Sequence, residues 1–137
     1  LECGNEQYKI MYNLFLDDCK MPKDVFLYTK NPMYMNLDWD IVMNYNEFIK
    51  IIEEKGIPNV ISFDYDLADE HYNNNEHPIY DQFTEKTGYH CARWLINYCI
   101  DHAKDVPKMV LIHTMNPVGS QNIASLFETY DKIYRGT

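Results

Sequence analysis

Three short apolar runs in this chain each stop at a residue with chemistry of its own. Asn13 to Leu16 (Asn-Leu-Phe-Leu) is followed by Asp17 and Asp18. Val60 to Phe63 (Val-Ile-Ser-Phe) is followed by Asp64, and Met109 to Ile112 (Met-Val-Leu-Ile) by His113 and Thr114. Continuously apolar runs of this length read as strands buried on both faces, unlike the alternating strands of a half-solvated sheet. Parallel strands of that kind end on one edge, and open α/β folds bind ligands at that edge. The pattern predicts that Asp17, Asp18, Asp64, His113 and Thr114 are neighbours, in an arrangement suited to a divalent metal and a phosphate group.

The rest of the chain supplies the matching helices. Residues 10–16 predict a first strand. Residues 19–37, with Pro22, Pro32 and several Asn, read as irregular with room for a short helix. Trp39 to Met43 predicts a second strand. Asn44 is then a good N-cap with Glu47 three residues on, Tyr45, Phe48, Ile49 and Ile52 keep helical spacing, and Gly56 and Pro58 stop the run. A helix is expected over 45–55. Residues 59–63 predict the third strand. Residues 68–86 show no sustained period, and a loop of that length is either a functional lid or a species-specific surface insertion. Thr87 caps a helix expected over 88–104, with Cys91, Ala92, Leu95, Ile96, Cys99, Ile100 and Ala103 as its apolar stripe. Residues 108–112 predict the fourth strand. Asn116 and Pro117 read as N-cap and first residue of a last helix, with Ser120 as an alternative start. Ile123, Leu126, Phe127, Tyr130, Ile133 and Tyr134 give that helix one face.

Alternation of strands and helices predicts an α/β fold with a parallel sheet covered on two faces. A single domain is expected over 9–135, with residues 1–8 as an N-terminal tail or remnant, since the chain does not begin with Met. Hydrophobic residues make up 46% of the 137, enough for one core. No apolar run has transmembrane length, so no membrane association is expected. The net charge of −9 opposes non-specific binding to duplex nucleic acid. Cys3, Cys19, Cys91 and Cys99 show no C-x-x-C spacing, and the last two fall on a helix stripe. They read as core thiols in a reducing, cytoplasmic setting. The oligomeric state is not legible.

Two adjacent carboxylates and a third from a neighbouring strand suit a hard cation. Mg²⁺, or Mn²⁺ in its place, prefers oxygen ligands and shares its shell with water and substrate phosphate. Asp17, Asp18 and Asp64 are therefore the expected metal ligands. The plain alternative is that Asp favours turns after strands. Asp64 has a second reading as a nucleophile that attacks phosphorus. His113 is a candidate general acid or base, with a structural His as the alternative. Lys20 and Thr114 are expected to contact phosphoryl oxygens. The helix start at Asn116 to Gly119 offers the N–H groups of Val118, Gly119 and Ser120 to an anion. Tyr65 either packs at the sheet edge, the favoured reading, or stacks on a base or ribose.

Four motifs in order carry a resemblance. They are Leu14 to Pro22 (Leu-Phe-Leu-Asp-Asp-Cys-Lys-Met-Pro), Ile61 to Leu67 (Ile-Ser-Phe-Asp-Tyr-Asp-Leu), Thr87-Gly88-Tyr89 with Trp94-Leu95, and His113 to Gly119 with Asn122-Ile123. They resemble the cyclic-phosphate-processing receiver domains of bacteria and phages, over residues 11 to about 130. The resemblance implies a flavodoxin-like three-layer sandwich, with a mainly parallel sheet of about four strands in the order 2-1-3-4. It implies that Asp17 and Asp18 are metal-binding acids and that Asp64 stands at the phospho-acceptor position. Asp66, His113, Thr114, Asn116 and Asn122 match the positions that set this branch apart. The chain departs from the common pattern with Lys20 for Arg, Tyr65 for His and Thr114 for Ser. Lys keeps the charge of Arg but loses its bidentate fork.

The expected function is a metal-dependent phosphoesterase acting on a cyclic phosphate, a cyclic nucleotide or a 2′,3′-cyclic RNA end. Asp64, His113 and Asp66 are its expected catalytic residues. Lys20, Tyr65, Thr114, Asn116, Gly119 and Asn122 are the expected substrate contacts. The expected partner is a small phosphorylated ligand of nucleotide type. The alternatives are a module that binds a cyclic nucleotide without chemistry, and a phospho-accepting signalling receiver. The last is the weakest, because no Lys at the end of a fifth strand is visible.

Overall fold

The computed structural model describes residues 11–67 and 86–136. Its elements in chain order are β1 (Asn13–Leu16), α1 (Pro22–Thr29), α2 (Met33–Asn36), β2 (Trp39–Val42), α3 (Tyr45–Lys55), β3 (Val60–Phe63), α4 (Gly88–Asp101), β4 (Met109–Ile112) and α5 (Pro117–Tyr130), closed by a π-helical turn over Asp131–Arg135. All four strands are parallel, in the order β2-β1-β3-β4. This is the 2-1-3-4 order expected above. The residue 68–85 part of the expected loop and the N-terminal tail lie outside the described residues. Among those described, no helix is long and apolar enough to cross a membrane.

Strand parity sorts the core into two layers. Successive strand side chains point to opposite faces. Leu14, Leu16, Ile61 and Phe63 face one way, and pack with Phe48 and Ile52 of α3, Cys91, Leu95 and Cys99 of α4, and Ile123 of α5. All of these are fully buried. Phe15 faces the other way and packs with Val25 of α1 and Tyr34 of α2, against Trp39, Ile41 and Leu111. Among the described residues, one layer thus has three helices of 11 to 14 residues, and the other has two short ones of 8 and 4.

The thin layer is the main difference from expectation. Residues 19–37 hold two helices where an irregular stretch with room for one short helix was expected. Pro22 sits at the first helical position, where its missing N–H costs nothing and its fixed φ fits. Asp24 then turns back to accept the Met21 N–H at 2.8 Å. Lys30, at φ 59°, ends α1, and Asn31 accepts the Met33 N–H at 3.0 Å to start the next turn. The prolines therefore start helices here and do not break them.

The other elements match the expected ones to within three residues. Asn44 caps α3 by accepting the Glu47 N–H at 2.8 Å, and Glu47 accepts the Met43 N–H at 2.9 Å. Ala103, at φ 55°, ends α4 short of residue 104. The last helix starts at Pro117, so the alternative start at Ser120 is not used.

Candidate functional site

Hydrogen bonding of the sheet continues one residue beyond three strand ends. The Asp17 N–H donates to Val42 O at 3.0 Å, the Asp64 N–H to Leu16 O at 3.0 Å, and the His113 N–H to Phe63 O at 2.9 Å. Asp17, Asp64 and His113 are thus held side by side by backbone alone. Parity turns all three toward the thin layer, in line with Phe15, Ser62 and Leu111. Asp17 is 2%, Asp64 6% and His113 2% exposed. One ligand atom from each lies within 4.8 Å of the others, a group that could hold a metal ion.

Asp17 is the most constrained of the three. Its Oδ1 accepts the N–H groups of Cys19 and Lys20, both at 2.9 Å. Its Oδ2 pairs with Nε2 of His113 at 2.9 Å. Burial alone would raise the Asp17 carboxyl. The bond from His113 and the two backbone N–H groups outweigh that and hold it below the ordinary carboxylate value. Asp64 goes the other way. Burial and the neighbouring Asp17 charge raise it, against weaker opposition from His113, the Thr114 hydroxyl and the Tyr65 N–H. A buried carboxylate whose ionisation a neighbouring buried carboxylate opposes fits a cation held between the two. The expected ligand set included Asp18 where the tight group has His113; Asp18 instead lines the adjoining cleft with Asp64.

That cleft is open, about 450 Å³, and lined by Asp18, Lys20, Asp64, Asp66, Thr114, Met115 and Asn116. Five of the expected site residues other than Asp64 therefore meet there: Asp18, Lys20, Asp66, Thr114 and Asn116. Thr114 accepts the Asn116 N–H at 3.2 Å, and Asn116 Nδ2 donates to Asp66 at 3.4 Å. Asp66 is exposed, so it is the carboxylate most open to solvent on this rim.

Other expected contacts are placed differently. The Asn116 side chain accepts the Gly119 N–H at 3.0 Å, and the Asn116 backbone carbonyl accepts the Ser120 N–H at 2.9 Å. The helix start therefore caps itself, and of the three expected anion donors Val118 alone keeps an N–H outside the cap. Gly119 matters for space instead, because a Cβ there would collide with the Tyr65 ring. Tyr65 is half-buried against the core, which is the packing reading. Asn122 is exposed on α5, away from the cleft lining. His113 was a candidate general acid or base, with a structural His as the alternative. Its ring is wholly buried, Nε2 is on Asp17, Nδ1 lies 2.6 Å from Ser62 Oγ, and one face stacks on Phe15 at 4.6 Å. Direct proton transfer from that imidazole to a ligand is not what this geometry offers.

Four residues were missed by sequence reasoning. Ser62 is hydrogen-bonded to His113 and lies 2.7 Å from the Tyr34 hydroxyl. A lone Ser inside the apolar run Val-Ile-Ser-Phe was the available signal. Tyr28 donates to the His113 carbonyl at 2.8 Å. Burial and the charges of Asp17 and Asp64 push its phenol up to about 12, so it stays a donor. Gly88 was quoted as motif without a role. Its N–H donates to Tyr65 O at 2.8 Å, and a Cβ there would collide with the Asp64 carbonyl.

A family model described as the cyclic-phosphate processing Receiver domain matches residues 12–129. No curated protein and no solved structure matches the chain.

Proposed function

We propose that this chain, which belongs to the cyclic-phosphate processing receiver domain family, hydrolyses a small cyclic phosphate at the C-terminal edge of its sheet with a divalent cation. The substrate class is a cyclic nucleotide or a 2′,3′-cyclic RNA end. The observation that carries the reading is a two-layered site. A cleft bearing Asp18, Asp64, Asp66 and Lys20 opens beside the buried pair Asp17–His113.

Asp17, Asp18 and Asp64 would hold Mg²⁺ or Mn²⁺. Bound there, the cation would supply positive charge to phosphoryl oxygens in a cleft whose charged side chains are mostly acidic. Lys20 adds a charge from the protein, and the Thr114 hydroxyl can turn from Asp64 to a phosphoryl oxygen. Water adds to phosphorus, one ring P–O bond breaks, and the ester oxygen leaves as a hydroxyl. Asp66 is the carboxylate exposed enough to take the proton from the water, and the leaving oxygen takes one from solvent. His113 acts behind this line by orienting Asp17.

A second reading is a module that holds the cyclic ester intact. The burial of His113 favours it, since no imidazole among the described residues lines the cleft. Incubation with cyclic mononucleotides, cyclic dinucleotides and 2′,3′-cyclic-ended RNA in Mg²⁺ or Mn²⁺ separates the two. Ring-opened monoester, lost in Asp64→Ala and in EDTA, supports hydrolysis. Tight binding with intact ligand recovered supports the module. Neither turnover nor binding across the panel sinks both.

A further inference from the structure

The buried side of His113 ends in a chain of hydroxyls that the proposed hydrolysis does not use. Nδ1 lies 2.6 Å from Ser62 Oγ, and Ser62 Oγ lies 2.7 Å from the Tyr34 hydroxyl. Ser62 is wholly buried and Tyr34 is 4% exposed. Buried polar groups need partners, and a buried hydroxyl left without one is costly. That requirement sets the direction of every bond in the chain.

Among the described residues the Tyr34 hydroxyl has one partner, Ser62. Were Ser62 to donate to Tyr34, the phenol proton would have no acceptor. Tyr34 is therefore the donor and Ser62 the acceptor of that bond. Among the described residues the Ser62 proton then has one acceptor within reach, Nδ1 of His113. Nδ1 must carry a lone pair, so the ring proton sits on Nε2, 2.9 Å from Asp17 Oδ2. Stacking on Phe15, with rings 3° from parallel, and the edge of Tyr34 at 6.0 Å hold the ring in that plane.

We propose that Tyr34 and Ser62 are positioning residues that lock His113 as its Nε2–H tautomer and thereby orient Asp17. The chain runs Tyr34 to Ser62 to His113 to Asp17, from α2 through the sheet to the site. It assigns a task to the thin layer. Tyr34 of α2 holds the ring through Ser62, and Tyr28 of α1 holds the backbone of the same histidine. It also removes His113 from the candidate metal ligands, because a protonated Nε2 has no lone pair to offer and the lone pair of Nδ1 accepts the Ser62 hydroxyl. The consequence for metal affinity rests on the proposed function; the tautomer does not.

The test is long-range ¹H–¹⁵N correlation of the imidazoles in the metal-free protein, with His113 assigned by its absence in His113→Gln. The expected result is an unprotonated, hydrogen-bonded Nδ1 and a slowly exchanging Nε2–H. Ser62→Ala should move the Nδ1 resonance to that of an acceptor without a donor. Tyr34→Phe, which keeps the ring, should speed Nε2–H exchange about 10-fold and weaken Mg²⁺ binding by about 10-fold, in the range seen for residues behind metal ligands. A protonated Nδ1 in the unsubstituted protein overturns the proposal, as does a Tyr34→Phe spectrum identical to it. Should Ser62→Ala not fold, those two readouts still decide. Absence of Mg²⁺ binding in the unsubstituted protein, with the tautomer as expected, would count against the proposed function and leave the tautomer lock standing.

Discussion

Asp17 and Asp64 are adjacent in the sheet, similarly buried, and pushed in opposite directions. Asp17 has three donors and is held low; Asp64 bears the repulsion of its neighbour and is held high. Replacing Asp64 with Asn removes the repelled charge. In EDTA the variant should melt at a higher temperature than the parent, while its Mg²⁺ affinity falls by more than the roughly 10–100-fold that loss of an outer partner costs. Calorimetry and thermal melting check both, and a lower melting temperature in EDTA would contradict the electrostatic argument. The pH dependence has two signs. As pH falls through the raised value of Asp64, the folded metal-free state takes up a proton that the unfolded state does not yet bind, so stability rises. Below the ordinary carboxylate value the unfolded chain binds the proton that Asp17 still refuses, so stability falls until the lowered Asp17 value is passed. Mg²⁺ affinity should fall through the first window, where Asp64 protonates. Denaturant melts in EDTA across acidic pH, beside Mg²⁺ titrations at the same points, check the reversal. The carboxylates, His113 and Thr114 were legible in the sequence because each stands at the end of an apolar run. Their opposite protonation behaviour was not, since it depends on which donors the fold aims at which oxygen.

Two helix starts set the distances around the site. Gly88 opens α4 against the Asp64 carbonyl, and Asn116 opens α5 beside Asp66. Gly88→Ala puts a methyl where the Asp64 carbonyl now is, which should cost about 1–3 kcal/mol in stability as overpacking does. It should also weaken Mg²⁺ binding, because Asp64 is the residue that must move; a variant that loses stability yet binds Mg²⁺ normally would refute the link. Asn116→Ala removes the cap of α5 and should cost about 0.5–2 kcal/mol, measured by urea unfolding. The caps of α3 and α5 could be seen in advance, since Asn44 and Asn116 act within three residues of themselves. The two helices of the thin layer could not. Pro22, Pro32 and several Asn look like loop residues until Pro22 takes the first helical position and Asp24 turns back on Met21. The resulting Tyr34–Ser62 contact spans 28 residues, and no local pattern encodes it.

At the scale of the molecule, four parallel strands place one polar edge between a thick helical layer and a thin one. The continuous apolar runs made the parallel sheet legible, and the ordered motifs made the strand order legible. The division of labour between the layers came from strand parity acting across the whole sheet. The long helices supply most of the core, and the short ones hold His113. The net charge of −9 and the acidic cleft oppose a phosphate ester approaching alone, so ligand binding should depend on a divalent cation. The central claim is that this edge processes a cyclic phosphate with that cation. The most direct measurement is ³¹P NMR of a panel of cyclic nucleotides and a 2′,3′-cyclic-ended oligonucleotide incubated with the protein and Mg²⁺ or Mn²⁺. The cyclic-ester signal of at least one member should give way to a monoester signal, and EDTA or Asp64→Ala should prevent it. Cyclic-ester signals that persist across the whole panel, or decay equally with Asp64→Ala, would contradict it.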